Sequence, residues 1–274
     1  MSLCLRVKNK PMESEIQHPK SGIIKRYLIE VMYDGTAFHG SQLQGNIDTV
    51  QLALNKGLTT ILRTPIETYG ASRTDEGVHA LCNFYHFDTE KEITPDTLYR
   101  FNAVLPEALS ITHIYLPANP EMNVRFDAIS RRYRYRVYPG RNPFLVNRAL
   151  YYPYRIDLDL LHETAALLKQ YEDFETFAKR HSQTKTFRCT IFQSYWEAHD
   201  GELHYVVEAN RFLRGMVRGL VGTQLKAARG KYGLEEFKKI IESKDCTQAD
   251  FSVAGHGLYL ENITYPEDSF TELK

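Results

Sequence analysis

The chain has 274 residues, 43% of them hydrophobic, enough for one large domain or two intimate halves around a sizeable core. Lysine plus arginine (34) balances aspartate plus glutamate (34), so no bulk charge draws the molecule to nucleic acid or acidic membranes, and a polyanion must be met by a local patch. Cys4, Cys82, Cys189 and Cys246 include no C-x-x-C pair, no apolar run approaches the ~20 residues of a membrane span, and residues 1–25 lack a signal-peptide core, so neither a disulfide framework nor a zinc knuckle is suggested, no membrane association is expected and a cytoplasmic setting is the default.

Residues 1–25 read as a polar extension. Residues 27–33 mix β-branched and aromatic side chains and stop at Asp34-Gly35, which predicts a strand ending in a tight turn. Asp48 or Thr49 caps a helical pattern of Val50, Leu52, Leu54, Leu58 and Ile61 that ends before Pro65. Residues 66–71 and 81–87 read as strands, with the charged stretch 73–79 held between them as a loop. A helix over 94–101 and a strand over 110–116 complete a first half, 26–120, which closes at Pro117, Asn119 and Pro120.

A second half, 121–265, opens with strands at 133–138 and 149–152 and a helix at 157–170. A strand pair at 188–197 and 202–209 turns at Asp200-Gly201. Helices at 212–229 and 234–243 and a last strand at 257–264 follow, and 266–274 reads as a tail. The order strand, helix, strand, strand recurs loosely. It predicts an α+β fold of two duplicated, pseudo-twofold antiparallel-sheet halves, with helices on one face and a catalytic cleft between the halves.

Three constellations carry chemistry. In Arg73-Thr74-Asp75-Glu76-Gly77-Val78-His79 a rigidly presented Asp75 can act as nucleophile or general base, with Arg73 close enough to orient a polyanion. Asp75 and His79 lie four apart, but without a third ligand they make no metal site. Arg131-Arg132-Tyr133-Arg134-Tyr135-Arg136 alternates as a strand does, placing Tyr133 and Tyr135 on one face and Arg132, Arg134 and Arg136 on the other; tyrosine interleaved with arginine suits a nucleic acid, one stacking on a base and the other pairing with phosphate. On a helix over 212–229, Phe212, Leu213, Met216, Val217 and Leu220 share one side and Arg211, Arg214 and Arg218 the other, without the carboxylates at i±4 that lace a solvated face. Lys179, Arg180, His181, Lys185 and Arg188 add a basic stretch suited to phosphates. Each alone also fits a bland role: a turn, an edge strand, a solvated helix face or a surface loop.

Together the motifs resemble the TruA family of tRNA pseudouridine synthases, from about residue 27 to residue 263. Tyr33-Asp34-Gly35-Thr36 with Phe38-His39-Gly40 is similar to the family's first strand and loop, and Arg73-Thr74-Asp75-x-Gly77-Val78-His79-Ala80 to its catalytic signature. Arg131 to Tyr135 resembles its tyrosine strand, Phe212 to Gly222 its arginine helix and Gly257-Leu258-Tyr259-Leu260 its final strand. The resemblance implies that Asp75 is the catalytic aspartate, that Tyr133 stacks on the target uracil and assists proton removal from C5, and that Arg218 pairs with Asp75. Arg73 would help displace the target nucleotide, Leu258 and His79 would belong to the base pocket, and Arg131, Arg132, Arg134, Lys179, Arg180, Arg211 and Arg214 would hold RNA.

The implied activity is isomerisation of uridine at positions 38, 39 and 40 of the tRNA anticodon arm, by a homodimer without metal or organic cofactor. Ser72 stands where the family has glycine, Glu76 where it has alanine and Ser41 where a tryptophan follows Gly40. Ser72 would be restrictive if the backbone there needs a positive φ. A noncatalytic RNA-binding or RNA-chaperone protein on the same fold is the competing reading, against which stands a carboxylate set inside an anionic-ligand cleft. A carboxylate-dependent hydrolase lacks a second positioned acid.

Overall fold

The computed structural model describes residues 23–180 and 185–274. Most of the expected polar extension and His181 of the basic stretch lie outside the described residues. Among the described residues the fold is α+β, with five α-helices and one ten-stranded sheet.

The first strand, β1 (Lys25–Tyr33), runs into a short 3-10 turn, and Thr49 then caps α1 (Val50–Leu62) by accepting the Leu52 N–H at 3.2 Å. A two-residue β2 (Tyr69–Gly70), β3 (His79–Thr89), α2 (Pro95–Asn102) and β4 (Leu109–Pro117) follow. The next segment holds β5 (Ser130–Tyr138), β6 (Leu150–Tyr151), α3 (Leu158–Leu167), β7 (Ile191–His199) and β8 (Glu202–Ala209). It continues with α4 (Met216–Ala228), α5 (Leu234–Glu242), β9 (Leu258–Thr264) and β10 (Phe270–Glu272).

The sheet order is β10-β4-β1-β3-β9-β5-β8-β7, with β2 on β3 and β6 on β5. Its ladders are antiparallel except β5 with β6 and β3 with β9, the latter joined at His79↔Tyr259 and Ala80↔Leu260. Tyr27, Leu28 and Ile29 are consecutive and all buried, which marks β1 as a strand covered on both faces. Ser194 Oγ donates to the Ala165 carbonyl at 2.8 Å and Trp196 Nε1 to Gln224 Oε1 at 2.9 Å, tying α3 and α4 to β7.

Three elements depart from their sequence pattern, the first being the strand expected over 66–71, of which only β2 (Tyr69–Gly70) forms. The helix expected from residue 212 begins at Met216, because Gly215 takes a left-handed φ of 73° that breaks the chain direction before it. Arg211 and Arg214 therefore sit in the preceding loop, and of the expected stripe only Arg218 is helical. The stretch expected as a tail contributes β10, whose Phe270 packs against Tyr115 at 4.8 Å, Tyr265 at 5.4 Å and Phe84 at 5.6 Å.

His86 on β3 is buried and stacked on Tyr69 at 5.3 Å, and its Nδ1 has no hydrogen-bond partner among the described residues. Burial, helped by the Arg26 charge, pushes its pKa down from 6.5 to about 4. A folded pKa below the unfolded one gives a contribution that is complete above 6.5, falls as pH descends and is gone below about 4. In thermal melts at about pH 7 and about pH 5, the wild type should lose more Tm on acidification than His86→Phe, which keeps the stacking ring without the titration. Equal losses would show that His86 is not held neutral.

Candidate active site

The loop between β2 and β3 is fixed at nearly every peptide. The Ala71 N–H donates to the Phe84 carbonyl at 2.8 Å, and Asn83 brackets Ser72, accepting its N–H at 3.3 Å and donating to its carbonyl at 3.0 Å. Thr74 donates its N–H to Ser41 Oγ at 2.8 Å and accepts the Ser41 N–H at 3.0 Å, while its hydroxyl meets the Tyr33 phenol at 2.8 Å. A turn then closes from the Val78 N–H to the Asp75 carbonyl at 3.2 Å, with Gly77 at φ 78° in its third position as a type II turn requires. Ser72 is not among the described residues with positive φ, so a side chain there costs no backbone strain.

Asp75 emerges from this frame with its carboxylate about one-third exposed, and Arg218 Nη1 stands 3.9 Å from its Oδ2. The Arg218 guanidinium is aimed by main-chain carbonyls: Nε donates to Val253 at 2.8 Å and Nη2 to Phe251 at 3.3 Å, leaving Nη1 toward Asp75. Tyr133 lies close by, 7% exposed, its ring edge-to-face with Phe212 at 5.1 Å. Burial, reinforced by the neighbouring Tyr33, pushes its phenol pKa up, against the pull of Arg131 and the Ser72 hydroxyl. Leu258, buried at the start of β9, is paired with Tyr135 on β5, two residues from the Tyr133–Leu260 pair. Asp75, Arg218 and Tyr133 are thus brought together.

The other expected site residues divide. His79 is 3% exposed and stacked on Tyr259 at 4.5 Å. Its Nε2 faces the Asn147 and His256 carbonyls, each at 3.1 Å, which puts the proton there, while Nδ1 accepts the Gly35 N–H at 3.2 Å. Burial outweighs the nearby Asp34 carboxylate and pushes its pKa down, so the ring is a neutral brace between loops. Arg131 is buried, its guanidinium donating to the carbonyls of Ala128 (3.1 Å), Asn210 (3.0 Å), Ala71 (3.5 Å) and Arg125, which ties β5 to the Asp75 loop.

Arg132 and Arg134 point to the opposite face of β5 from Tyr133 and are not brought to it. Arg132 Nε pairs with Glu261 at 3.2 Å; Arg134 pairs with Glu261 and, at 2.9 Å, with Glu197. As the alternation leads one to expect, Tyr133 and Tyr135 lie on one face of β5 and Arg132, Arg134 and Arg136 on the other, while Arg131 shares the tyrosine face.

Arg73, exposed beside Asp75, has Arg125 as a neighbour, and Arg125 has Arg131 and Arg211 as well. Burial first, then these three charges, push the Arg125 pKa down. Neither Arg73, Arg125 nor Arg211 has a carboxylate within 4.0 Å among the described residues. Arg125 is the neighbour of Arg73 that sequence reasoning missed. Its one local signal, an arginine next to Phe126, is too common to separate from a surface pair. Lys179 and Arg180 are exposed, and the Lys179 N–H donates to the Arg214 carbonyl at 2.9 Å, which places all three on one rim. Among the described residues no group of three or more histidine, cysteine or acidic side chains is arranged to hold a metal.

The loop also depends on a close approach at Gly35, where a Cβ would stand 2.0 Å from the Val78 carbonyl oxygen. Gly35→Ala forces main chain apart and should cost at least ~1–3 kcal/mol of stability, measured by chemical denaturation. An unchanged midpoint would refute the contact.

A family model described as tRNA pseudouridine synthase matches residues 169–266. The chain is 41% identical over 257 residues to tRNA pseudouridine synthase A of Bacteroides thetaiotaomicron, covering 91% of this chain and 94% of that protein. It is 40% identical over 252 residues to the protein of the same name from Parabacteroides distasonis, covering 90% and 98%. With that of Staphylococcus carnosus it shares 33% identity over 241 residues, covering 87% and 90%. At such identity over most of both chains, the chain belongs to the tRNA pseudouridine synthase A family.

Proposed function

We propose that the chain isomerises uridine to pseudouridine in the anticodon stem-loop of tRNA, at positions 38, 39 and 40, and that Asp75 carries the reaction. The N1–C1′ bond breaks, the uracil turns, and C5 bonds to C1′; C5 loses a proton and N1 ends protonated, so the balance needs no redox partner and no energy source. A carboxylate at the sugar suffices, as nucleophile at C1′ or as base toward the ribose. The observation that carries this reading is the placement of Asp75 on a clamped turn, 3.9 Å from a backbone-aimed Arg218 and beside the buried Tyr133.

Tyr133, its phenol pKa raised by burial, meets the base as a protonated ring. Stacking on it is worth ~1–3 kcal/mol, which offsets part of the few kcal/mol that extruding the base costs. Leu258 walls the base, Arg73 displaces the nucleotide, and Arg125, Arg211, Arg214, Lys179 and Arg180 hold the backbone through their positive charges. The same reading takes the sheet as two related halves, 26–120 and 121–265, with the cleft above their join. Its support is the strand order, in which β9, β5, β8 and β7 of the second half follow one another on one side of β3. A homodimer in the cytoplasm completes it, on the family resemblance.

Pseudouridine mapping in tRNA treated with wild type and with Asp75→Ala tests the assignment. The wild type should give signal and the variant none; RNA binding without product from the wild type would favour the noncatalytic reading. Tyr133→Phe, which keeps the stacking ring and loses the hydroxyl, should lower turnover ~10–100-fold while tRNA affinity stays within about twofold.

Arg125→Ala tests the backbone grip. It should weaken tRNA binding and reduce the slope of log affinity against log salt by about one. An unaltered slope would remove Arg125 from the RNA surface.

A further inference from the structure

We infer that Ser41 is a positioning residue for the reaction at Asp75, setting the carboxylate's place through the two peptide planes of Thr74. The inference rests on the reading of Asp75 proposed above. Ser41 is 2% exposed and stands where the family resemblance leads one to expect a tryptophan. Its Oγ accepts the Thr74 N–H at 2.8 Å, and its own N–H donates to the Thr74 carbonyl at 3.0 Å. A peptide unit is planar, so holding the Thr74 carbonyl also holds the Asp75 nitrogen. The Val78 N–H, bonded to the Asp75 carbonyl at 3.2 Å, holds the following plane. With both flanking planes held, the Cα–Cβ bond of Asp75 has a set direction.

Ser41 is itself anchored. Its carbonyl accepts the Gln51 N–H of α1 at 3.0 Å, and the phenols of Tyr33 and Tyr85 flank its hydroxyl. Tyr33 reaches the same Thr74 through its hydroxyl at 2.8 Å. The Asp75 carboxylate is therefore referenced to α1 and β1. Arg218 is referenced elsewhere, to the Val253 and Phe251 carbonyls. Slack at Ser41 then changes the Asp75–Arg218 separation instead of moving the two groups together, and misplacement of a reacting group by an ångström costs on the order of 100-fold in rate.

Turnover of tRNA by wild type, Ser41→Ala and Ser41→Cys, with circular dichroism to confirm folding, tests this. Ser41→Ala removes the acceptor and should lower kcat by about tenfold or more, with KM within about twofold, because Ser41 is enclosed and touches no RNA. Ser41→Cys keeps the shape with a weaker acceptor and should fall between the two; if the alanine variant does not fold, the cysteine variant decides by the same split. Wild-type kcat in a folded variant, or a loss carried by KM alone, overturns the inference while leaving Asp75 in its role. A wild type that forms no pseudouridine refutes the reading of Asp75 and this inference with it.

Discussion

The arrangement around Asp75 depends on a short parallel join. Strand β3 meets β9 through His79↔Tyr259 and Ala80↔Leu260, and the rings of that first pair stack at 4.5 Å. Parallel pairing makes both strands start at the same end of the sheet, so the loop that precedes β3 and the turn that precedes β9 converge there. The first loop carries Asp75. The second supplies the Val253 and Phe251 carbonyls that aim Arg218, and the Ala254 carbonyl that accepts the Tyr135 hydroxyl at 2.6 Å. An antiparallel join would have put the two loops at opposite ends. His79 reinforces the pairing by bonding outward from both ring nitrogens, to Gly35 on one side and to Asn147 and His256 on the other. A proton on Nδ1 would take the acceptor from the Gly35 N–H and pair the ring with Asp34 Oδ1, 3.2 Å away.

Formal neutrality hides a strong sidedness. On the far face of β5 and β8, Arg132, Arg134 and Arg136 are matched by Glu197, Glu202 and Glu261, with Arg136 and Glu202 at 2.7 Å. These pairs use carboxylates that would otherwise offset the cations near Asp75. Arg73 and Arg211 each stand there as neighbours of Arg125. Guanidiniums cannot shed their charge at neutral pH, so crowding them is unfavourable until an anion arrives. A chain with 34 charges of each sign can thus present a cationic surface by sorting its ion pairs between faces.

Most of the scaffold was legible because its signals are local. Thr49 caps α1, Asp34-Gly35 ends β1, and Asp200-Gly201 turns β7 into β8, each through backbone chemistry that needs no distant partner. The start of α4 was not legible, because whether Gly215 sits inside a helix or breaks it depends on what packs around it. Strand β10 escaped notice since three residues are too few to show a period, and Phe270 is recruited by Phe84, Tyr115 and Tyr265 from distant parts of the chain. At the site, residue types pointed to Asp75, Tyr133 and Arg218 and the structure brings them together. Types alone left Arg131, Arg132 and Arg134 equivalent, whereas one is tied to buried carbonyls and two are paired with acids. Arg125 acquires meaning only from its neighbours in space.

The two departures beside Asp75 differ in physical consequence. Glu76 is exposed at the second position of the Asp75–Val78 turn, which calls for an ordinary negative φ, and the side chain reaches solvent, so its effect is one of charge at the mouth of the site and is screened by salt. Ser72 is 8% exposed, and its N–H and carbonyl are both taken by Asn83. Its hydroxyl acts on the Tyr133 phenol, lowering a pKa that burial raises. A glycine there would leave the backbone bonds intact and remove only that hydroxyl. Ser72 therefore changes the surroundings of Tyr133 without changing the path of the loop, and salt cannot screen a contact enclosed in the core.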